Sequence, residues 1–367
     1  MTHRLDATLI LMWLAVAVVG VVMVASASFP LDAATAAPAH YVVRHGVYLA
    51  GGLVLFGVFA LVPLSLWEAL HKPLLIAAIV LCALVLVPGI GHLVNGSRRW
   101  IGLGPFSLQA SEATKLLLLV YLAGYLSRQH EALRRNVMAL LRPLVLLAAL
   151  SVMILLEPDF GSVVVLVAMT GGLLFIAGAR LLHFLAILGV VALALGAIAV
   201  LQPYRLERFE TFLNPWASAF GSGYQLTQAL IAFGRGEWFG LGLGEGIQKQ
   251  FYLPEAHNDF IFAVIAEELG LVGAVGVFAM LVLLVLRIFR IAGDALKSER
   301  FFAAYVAYGA GLLIGLQSLI NVGVNTGTLP TKGLTLPFVS YGGNSLLVCC
   351  ALIGLVVRVS HEGQHAR

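Results

Sequence analysis

The sequence predicts an all-α polytopic membrane protein with ten transmembrane helices. Hydrophobic residues make up 60% of the 367 residues and charged residues only 11%, against roughly 25% charged in a soluble domain. Apolar stretches near the ~20 residues that cross a bilayer recur ten times along the chain. Most of the charged residues fall between these stretches, and a few fall within them.

In order, the spans are expected at 9–29, 45–66, 73–94, 107–126, 137–156, 161–179, 182–201, 259–286, 301–325 and 338–358. The first is too long for a secretory signal, lacks a small-residue cleavage site and is followed by more spans, so it reads as a membrane helix. No stretch reads as a soluble domain, so residues 1–367 are expected to form a single membrane domain. Cys82, Cys349 and Cys350 lie in apolar runs without a CxxC pair, which argues against a disulfide or a zinc site. The net charge of +4 comes from loop arginines, with no basic tail suited to nucleic acid.

Orientation follows from the cations. With the N-terminus inside, thirteen Lys and Arg residues fall on the inner side and four (Arg44, Arg98, Arg99 and Lys332) in short outer loops. Short cytoplasmic loops carry the excess of Lys and Arg. Both termini are therefore expected in the cytoplasm of a multi-pass inner-membrane protein.

The longest connection, 202–258, is expected on the extracytoplasmic side, and long connections in compact proteins are usually functional. Leu226, Ala229, Leu230 and Phe233 recur at helical spacing and predict a short amphipathic helix in the membrane interface. The glycine-rich stretch from Gly234 to Gly246 follows no strand and precedes no Lys-Ser step. It reads as a hinge or a close-packed loop, not a phosphate cradle.

Other motifs collect on the outer face. Arg98 and Arg99 beside Trp100 suit a phosphate, or equally an aromatic-belt anchor with snorkelling arginines. Glu157-Pro158-Asp159 offers carboxylates for a cation or a cap for the sixth span. The last outer loop, Leu329 to Ser345, holds two prolines and three glycines, and Lys332 is its only cation. Irregular backbone at membrane depth is tolerated only inside protein or beside a wet cavity. Within the spans, Glu112 and Lys115 sit three apart and can pair on one helix face. Glu267 and Glu268 can face a wet cavity or pair with a cation of another span.

Asp259 lies where the long loop turns into the eighth span. A carboxylate at the mouth of a span is a functional candidate, but Asn258 and Asp259 are also good helix caps. His257 beside it offers a means of tuning its pKa, or is simply solvated.

Five segments in order resemble the SEDS family (shape, elongation, division and sporulation proteins). They are Asn95 to Ile101 with Gln109 to Glu112; Glu157 to Gly161; Asn214-Pro215-Trp216 with Gly223-Tyr224-Gln225; Leu253 to Gly270; and Leu329 to Ser345. Together they run from the third span to the tenth. The Pro330-Thr331-Lys332-Gly333 version of the last loop resembles the division branch. Ala256 to Asp259 departs slightly from the family, where Thr usually precedes the Asp, and Asn344 stands where Ser is usual.

The resemblance implies a ten-span glycosyltransferase that polymerises lipid II into peptidoglycan strands at the outer face of the membrane, at the division septum. It implies Asp259 as the essential acid, acting as general base on the acceptor hydroxyl. The lipid diphosphate leaving group needs cations, and Arg98, Arg99 and Lys332 are the candidates. A divalent ion, Mg or Mn, is the candidate cofactor. Trp100, Ser340, Gly342 and Gly343 join as substrate-binding candidates, with Glu112, Lys115 and His257 in support. The implied partners are a class B penicillin-binding transpeptidase of the FtsI type and the division proteins FtsQ, FtsL and FtsB. Two rivals are a lipid II flippase and a non-catalytic division scaffold. A flippase would typically carry an internal repeat and charges reachable from both sides, and neither is visible in the chain.

The residues and the resemblance together predict one architecture. The loop 202–258 should cover the outer mouth of a cavity lined by the fourth, eighth and tenth spans. Asp259, Lys332 and the Ser340–Asn344 turn should meet on one side of it.

Overall fold

In lipid every backbone polar group must be satisfied within the protein, which leaves helices as the element a chain this apolar can build. The computed structural model describes residues 6–33, 39–94, 97–104, 106–133, 136–180, 211–331 and 333–365, with the single positions 182, 185, 189, 193 and 196. Its helices are α1 (Ala7–Ala33), α2 (His40–Leu61), α3 (Leu64–Ala69), α4 (His71–Leu86), α5 (Ala110–Arg128), α6 (His130–Leu133), α7 (Val137–Leu156) and α8 (Phe160–Ile176). After them come α9 (Tyr224–Gly236), α10 (Ile261–Lys297), α11 (Phe301–Asn325) and α12 (Gly343–His365). Six of these are long and apolar enough to cross a membrane: α1, α2, α7, α10, α11 and α12. The protein is an integral membrane protein. Nine of the ten expected spans meet a described helix; the seventh, 182–201, lies largely outside the described residues, as do Gln202 to Glu210.

Three expectations change. The ends of the third and fourth expected spans are not helical. Between α4 and α5 the chain forms a three-stranded antiparallel sheet, β1 (Gly91–Val94), β2 (Ser97–Leu103) and β3 (Phe106–Gln109). Their short apolar runs resemble span ends, but Gly89, Gly91, Gly102 and Gly104 interrupt any helix. The eighth span is also longer than expected, at 37 residues, and it breaks at Gly270, where φ is +69°. Finally, α9 forms as its spacing predicts, but Leu226 and Ala229 are buried and Phe233 packs on Phe262 at 5.9 Å. Its apolar face is covered by α10 rather than by lipid.

The helices pair as α2 with α12, α10 with α11, α4 with α5, α1 with α10 and α8 with α11. Buried on almost every face, α5 is the central helix, and its position explains how it carries Glu112 and Lys115. These two close a salt bridge of 2.6 Å inside the protein. The last outer loop is likewise enclosed. Phe338 lies 6.5 Å from the Trp13 ring of α1, and a side chain at Gly20 would strike the Phe338 carbonyl. The irregular backbone is thus surrounded by protein, as its depth requires.

Candidate active site

The two loops around Asp259 are held by buried amides. Asn321 and Asn325, one turn apart on α11, each donate a side-chain N–H to the Asp259 carbonyl at 2.9 Å. Asn321 also donates to the Leu334 carbonyl at 2.6 Å, tying the loop before α10 to the last outer loop. The Oδ1 of Asn325 accepts from the Ala263 N–H at 3.0 Å. The first turn of α10 is therefore capped from the neighbouring helix, and the N-cap position itself is Phe260, which has no capping side chain. The capping alternative places Asn258 or Asp259 in that role, one or two residues before Phe260.

Ser340 donates to the Asn258 carbonyl at 2.7 Å and accepts from the Leu336 N–H, while the Tyr341 N–H donates to the His257 carbonyl at 3.0 Å. The Asp259 carboxylate packs beside Gly333, where an added Cβ would sit 2.9 Å from Oδ2. Lys332 lies outside the described residues.

A cavity of about 540 Å³ opens beside this turn. Asp259, Arg99, Trp100, Glu112, His257, Gly342 and Gly343 of the expected site line it. Arg98, Lys115 and Ser340 do not. In β2, Arg98 pairs with Leu93 and Trp100 with His92, so Arg99 is the extra residue of a β-bulge. A bulge re-aims one side chain, and it separates the expected arginine pair. The Arg99 guanidinium donates to the Glu157 carbonyl at 2.9 Å and the Pro158 carbonyl at 2.5 Å. Lys115 is spent on Glu112, and Ser340 holds backbone.

The cavity also draws on elements beyond the fourth, eighth and tenth spans. Arg44 and Tyr48 reach it from α2, and Asp159 and Ser162 from the turn into α8. Arg44 has no carboxylate within salt-bridge range among the described residues. Its signal in the sequence was weak: a single arginine, one of the four Lys and Arg residues spread over the short outer loops. Asp159 caps α8 through the Ser162 N–H and accepts the hydroxyls of Ser111 and Ser162, both at 2.7 Å. Among the described residues of the long loop, only Glu255, His257 and Asn258 line the cavity, which is less of a cover than expected.

The electrostatics separate the carboxylates. Glu157 is fully buried with both side-chain oxygens unpaired. Burial, with the Asp159 charge adding, pushes its carboxyl up to about 8, against a smaller opposing pull from Arg99. The His257 ring packs on Tyr41 at 5.1 Å and Tyr341 at 5.4 Å. Burial holds it below the usual histidine value, with Glu255 and Asp32 opposing, which favours the neutral imidazole. Glu267 and Glu268 face neither a wet cavity nor another span's cation. Glu268 pairs with Lys249 at 2.6 Å and Glu267 with Arg235 at 3.1 Å, both from the long loop.

The sequence reading missed Asn321 and Asn325. Two asparagines four apart in an apolar span were the available signal, because polar groups there need partners.

A carboxylate, a guanidinium fixed on two carbonyls and a second arginine thus share one cavity wall. This arrangement suits transfer of a group from a phosphate leaving group to a hydroxyl. The model of the cell cycle protein family that groups FtsW, RodA and SpoVE matches residues 6–365. The chain is similar to a protein of Coxiella burnetii named "Probable peptidoglycan glycosyltransferase FtsW", with 50% identity over 98% of this chain and 97% of that one. Among solved structures it resembles a chain from a work on structural coordination of polymerization and crosslinking by a peptidoglycan synthase complex. That match has a TM-score of 0.80 and 30% identity, covering 98% of each chain. It also resembles the Thermus thermophilus rod shape determining protein RodA, with a TM-score of 0.71 and 29% identity over 98% of this chain and 97% of that one. The chain belongs to the FtsW/RodA/SpoVE family of cell cycle proteins.

Proposed function

We propose that the protein is a peptidoglycan glycosyltransferase that polymerises lipid II into glycan strands during septal wall synthesis. The observation that carries this is Asp259 on the wall of a cavity that also holds Arg99 and Arg44, in a chain half identical to a relative so named. Asp259 takes the proton of the acceptor sugar hydroxyl as that oxygen attacks the donor's anomeric carbon. The bond from that carbon to the diphosphate oxygen breaks, and the lipid diphosphate leaves with the electron pair. Arg99, Arg44 and Lys332 meet its developing charge. One displacement inverts the α-linked donor to a β-linked strand, with no covalent enzyme intermediate.

A divalent cation, Mg or Mn, stays a proposed cofactor carried by the diphosphate, since Mg is commonly held by one or two carboxylates plus substrate phosphates. Among the described residues no three His, Cys, Asp or Glu side chains gather to cage a metal, so no step is assigned to it. The proposed partners are a class B penicillin-binding transpeptidase of the FtsI type and FtsQ, FtsL and FtsB. The proposed location is the cytoplasmic membrane at the septum, with both termini inside.

The test is strand synthesis by purified protein, with and without the transpeptidase, on lipid II. Polymer from the native chain and none from Asp259→Asn is the expected result. Equal polymer from both would overturn the assignment.

A further inference from the structure

The long loop carries a second feature, away from the cavity. Trp238 and Phe239 are 66% and 83% exposed, and Leu241 and Leu243 beside them are also exposed. Apolar tips of this kind normally belong to mobile loops, but this one is fixed. The Leu271 N–H donates to the Glu237 carbonyl at 2.9 Å and the Val272 N–H to the Trp238 carbonyl at 3.1 Å. In return the N–H groups of Leu241 and Gly242 donate to the carbonyls of Glu267 and Glu268, both at 3.0 Å. The loop is stitched into the break of α10. A Cβ at Gly270 would sit 2.4 Å from the Gly240 nitrogen.

Behind the stitch lie two buried carboxylates. Glu268 accepts from Lys249, from the Ser26 hydroxyl of α1 and from the Gly244 N–H. Glu267 accepts from Arg235 and from the N–H groups of Ile247 and Gln248. Breaking such a buried pair is costly, so the aromatic tip is presented on a rigid frame.

Its depth can be read along α10. Seventeen residues separate Gly270 from Arg287, or about 25 Å at 1.5 Å per residue. Arg287 pairs with Asp6 at the start of α1, which marks the opposite membrane face. A hydrocarbon core is about 30 Å thick, so Gly270 and the stitched loop fall at its far edge. Leu271, Val272 and Val275 of α10 are exposed at the same level, so the apolar surface of the span continues into the loop. Exposed Glu237 and Glu245 flank the tip. Trp at the edge of an apolar band is the signature of a lipid interface.

We propose that Trp238–Leu243 is a membrane anchor, seated in the interface of the leaflet on the cavity side, with bilayer lipid as its occupant. The frame of Glu267 and Glu268 holds the long loop at that depth. The anchor does not depend on the catalytic reading of Asp259.

The test is fluorescence of the full chain in nanodiscs of phosphatidylcholine brominated either near the carbonyl or near the methyl end of its acyl chains. Subtracting the signal of Trp238→Phe isolates Trp238, and this swap keeps an apolar ring in place. The expected result is loss of most of the Trp238 signal with the shallow bromines, less with the deep ones, and weak quenching by aqueous acrylamide. A Trp238 signal indifferent to bromine and open to acrylamide would overturn the anchor. So would shielding from acrylamide that arises only when the transpeptidase is added, which would make the patch a protein interface. Glu268→Gln serves as a second variant: a loosened frame should raise acrylamide access at Trp238, and unchanged access would remove the frame from the proposal.

Discussion

Asn325 of α11 touches Asp259 and the helix behind it at once: its Nδ2 donates to the Asp259 carbonyl at 2.9 Å and its Oδ1 accepts from the Ala263 N–H at 3.0 Å. One side chain therefore sets both where the turn ends and where α10 begins. Asn325→Ala removes its bonds to the Asp259 carbonyl and the Ala263 N–H, each worth about 0.5–1.5 kcal/mol, although Asn321 and the Phe260 carbonyl still partner those groups. Displacing a reacting group by about 1 Å can cost about 10²-fold in rate. The expected outcome is a fall in kcat of that order with lipid II KM nearly unchanged, read in a polymerisation assay beside a thermal melt. Equal loss of kcat in Asn325→Gln and Asn325→Ala, with a collapsed melt in both, would point to folding instead.

Asp259→Ala and Asp259→Asn are both expected to abolish strand synthesis while insertion and lipid II binding persist. General-base catalysis is worth about 10²–10⁴-fold. Asn caps a helix about as well as Asp, so a capping role would leave Asp259→Asn active.

The bulge at Arg99 turns one expectation about a pair into two opposite ones. Arg99→Gln should impair turnover strongly, since this guanidinium lines the cavity. Arg98→Gln, off the cavity wall, should stay near native. Lys332→Met is expected to resemble Arg99→Gln, as it removes a cation proposed to meet the diphosphate and keeps the apolar stem. Lipid II binding and turnover, measured for each at matched protein level, decide between a diphosphate role and simple snorkelling.

Glu157 predicts a dependence of stability on pH. Its folded value of about 8 lies above the ordinary carboxyl value of 4.5. Between the two, the folded chain holds a proton that the unfolded chain has lost, so stability falls as pH rises through this window. Below it the contribution is fully present. Glu157→Gln is a permanent stand-in for the protonated acid and should flatten the melting temperature across the same range. Parallel slopes for native and variant protein in detergent would show that another group is responsible.

The sequence exposed the helices and one side of the cavity because both rest on local signals. Span lengths follow from apolar runs, and Asp259 stands out as a charge at the mouth of one. The sheet from Gly91 to Gln109 was hidden because its strands are short and apolar, so Leu93, Val94 and Leu108 read as the ends of spans. The fate of Glu267 and Glu268 was hidden for a different reason. Their partners, Arg235 and Lys249, are ordinary loop cations until the chain folds back by about twenty to thirty residues. Arg44 and the two asparagines were missed likewise, since only tertiary packing brings α2 and α11 to Asp259.

Because α10 breaks at Gly270, it is two rods that meet at a joint. The upper rod, from Ile261 to Leu269, carries the Asp259 turn at its far end, roughly 13 Å from the joint. The stitched loop grips the same joint from outside. It bonds both rods, through the Glu267 and Glu268 carbonyls before the break and the Leu271 and Val272 N–H groups after it, so it splints the joint. The angle at which the short rod presents the Asp259 turn is thus set from outside the cavity, by a splint of four backbone bonds.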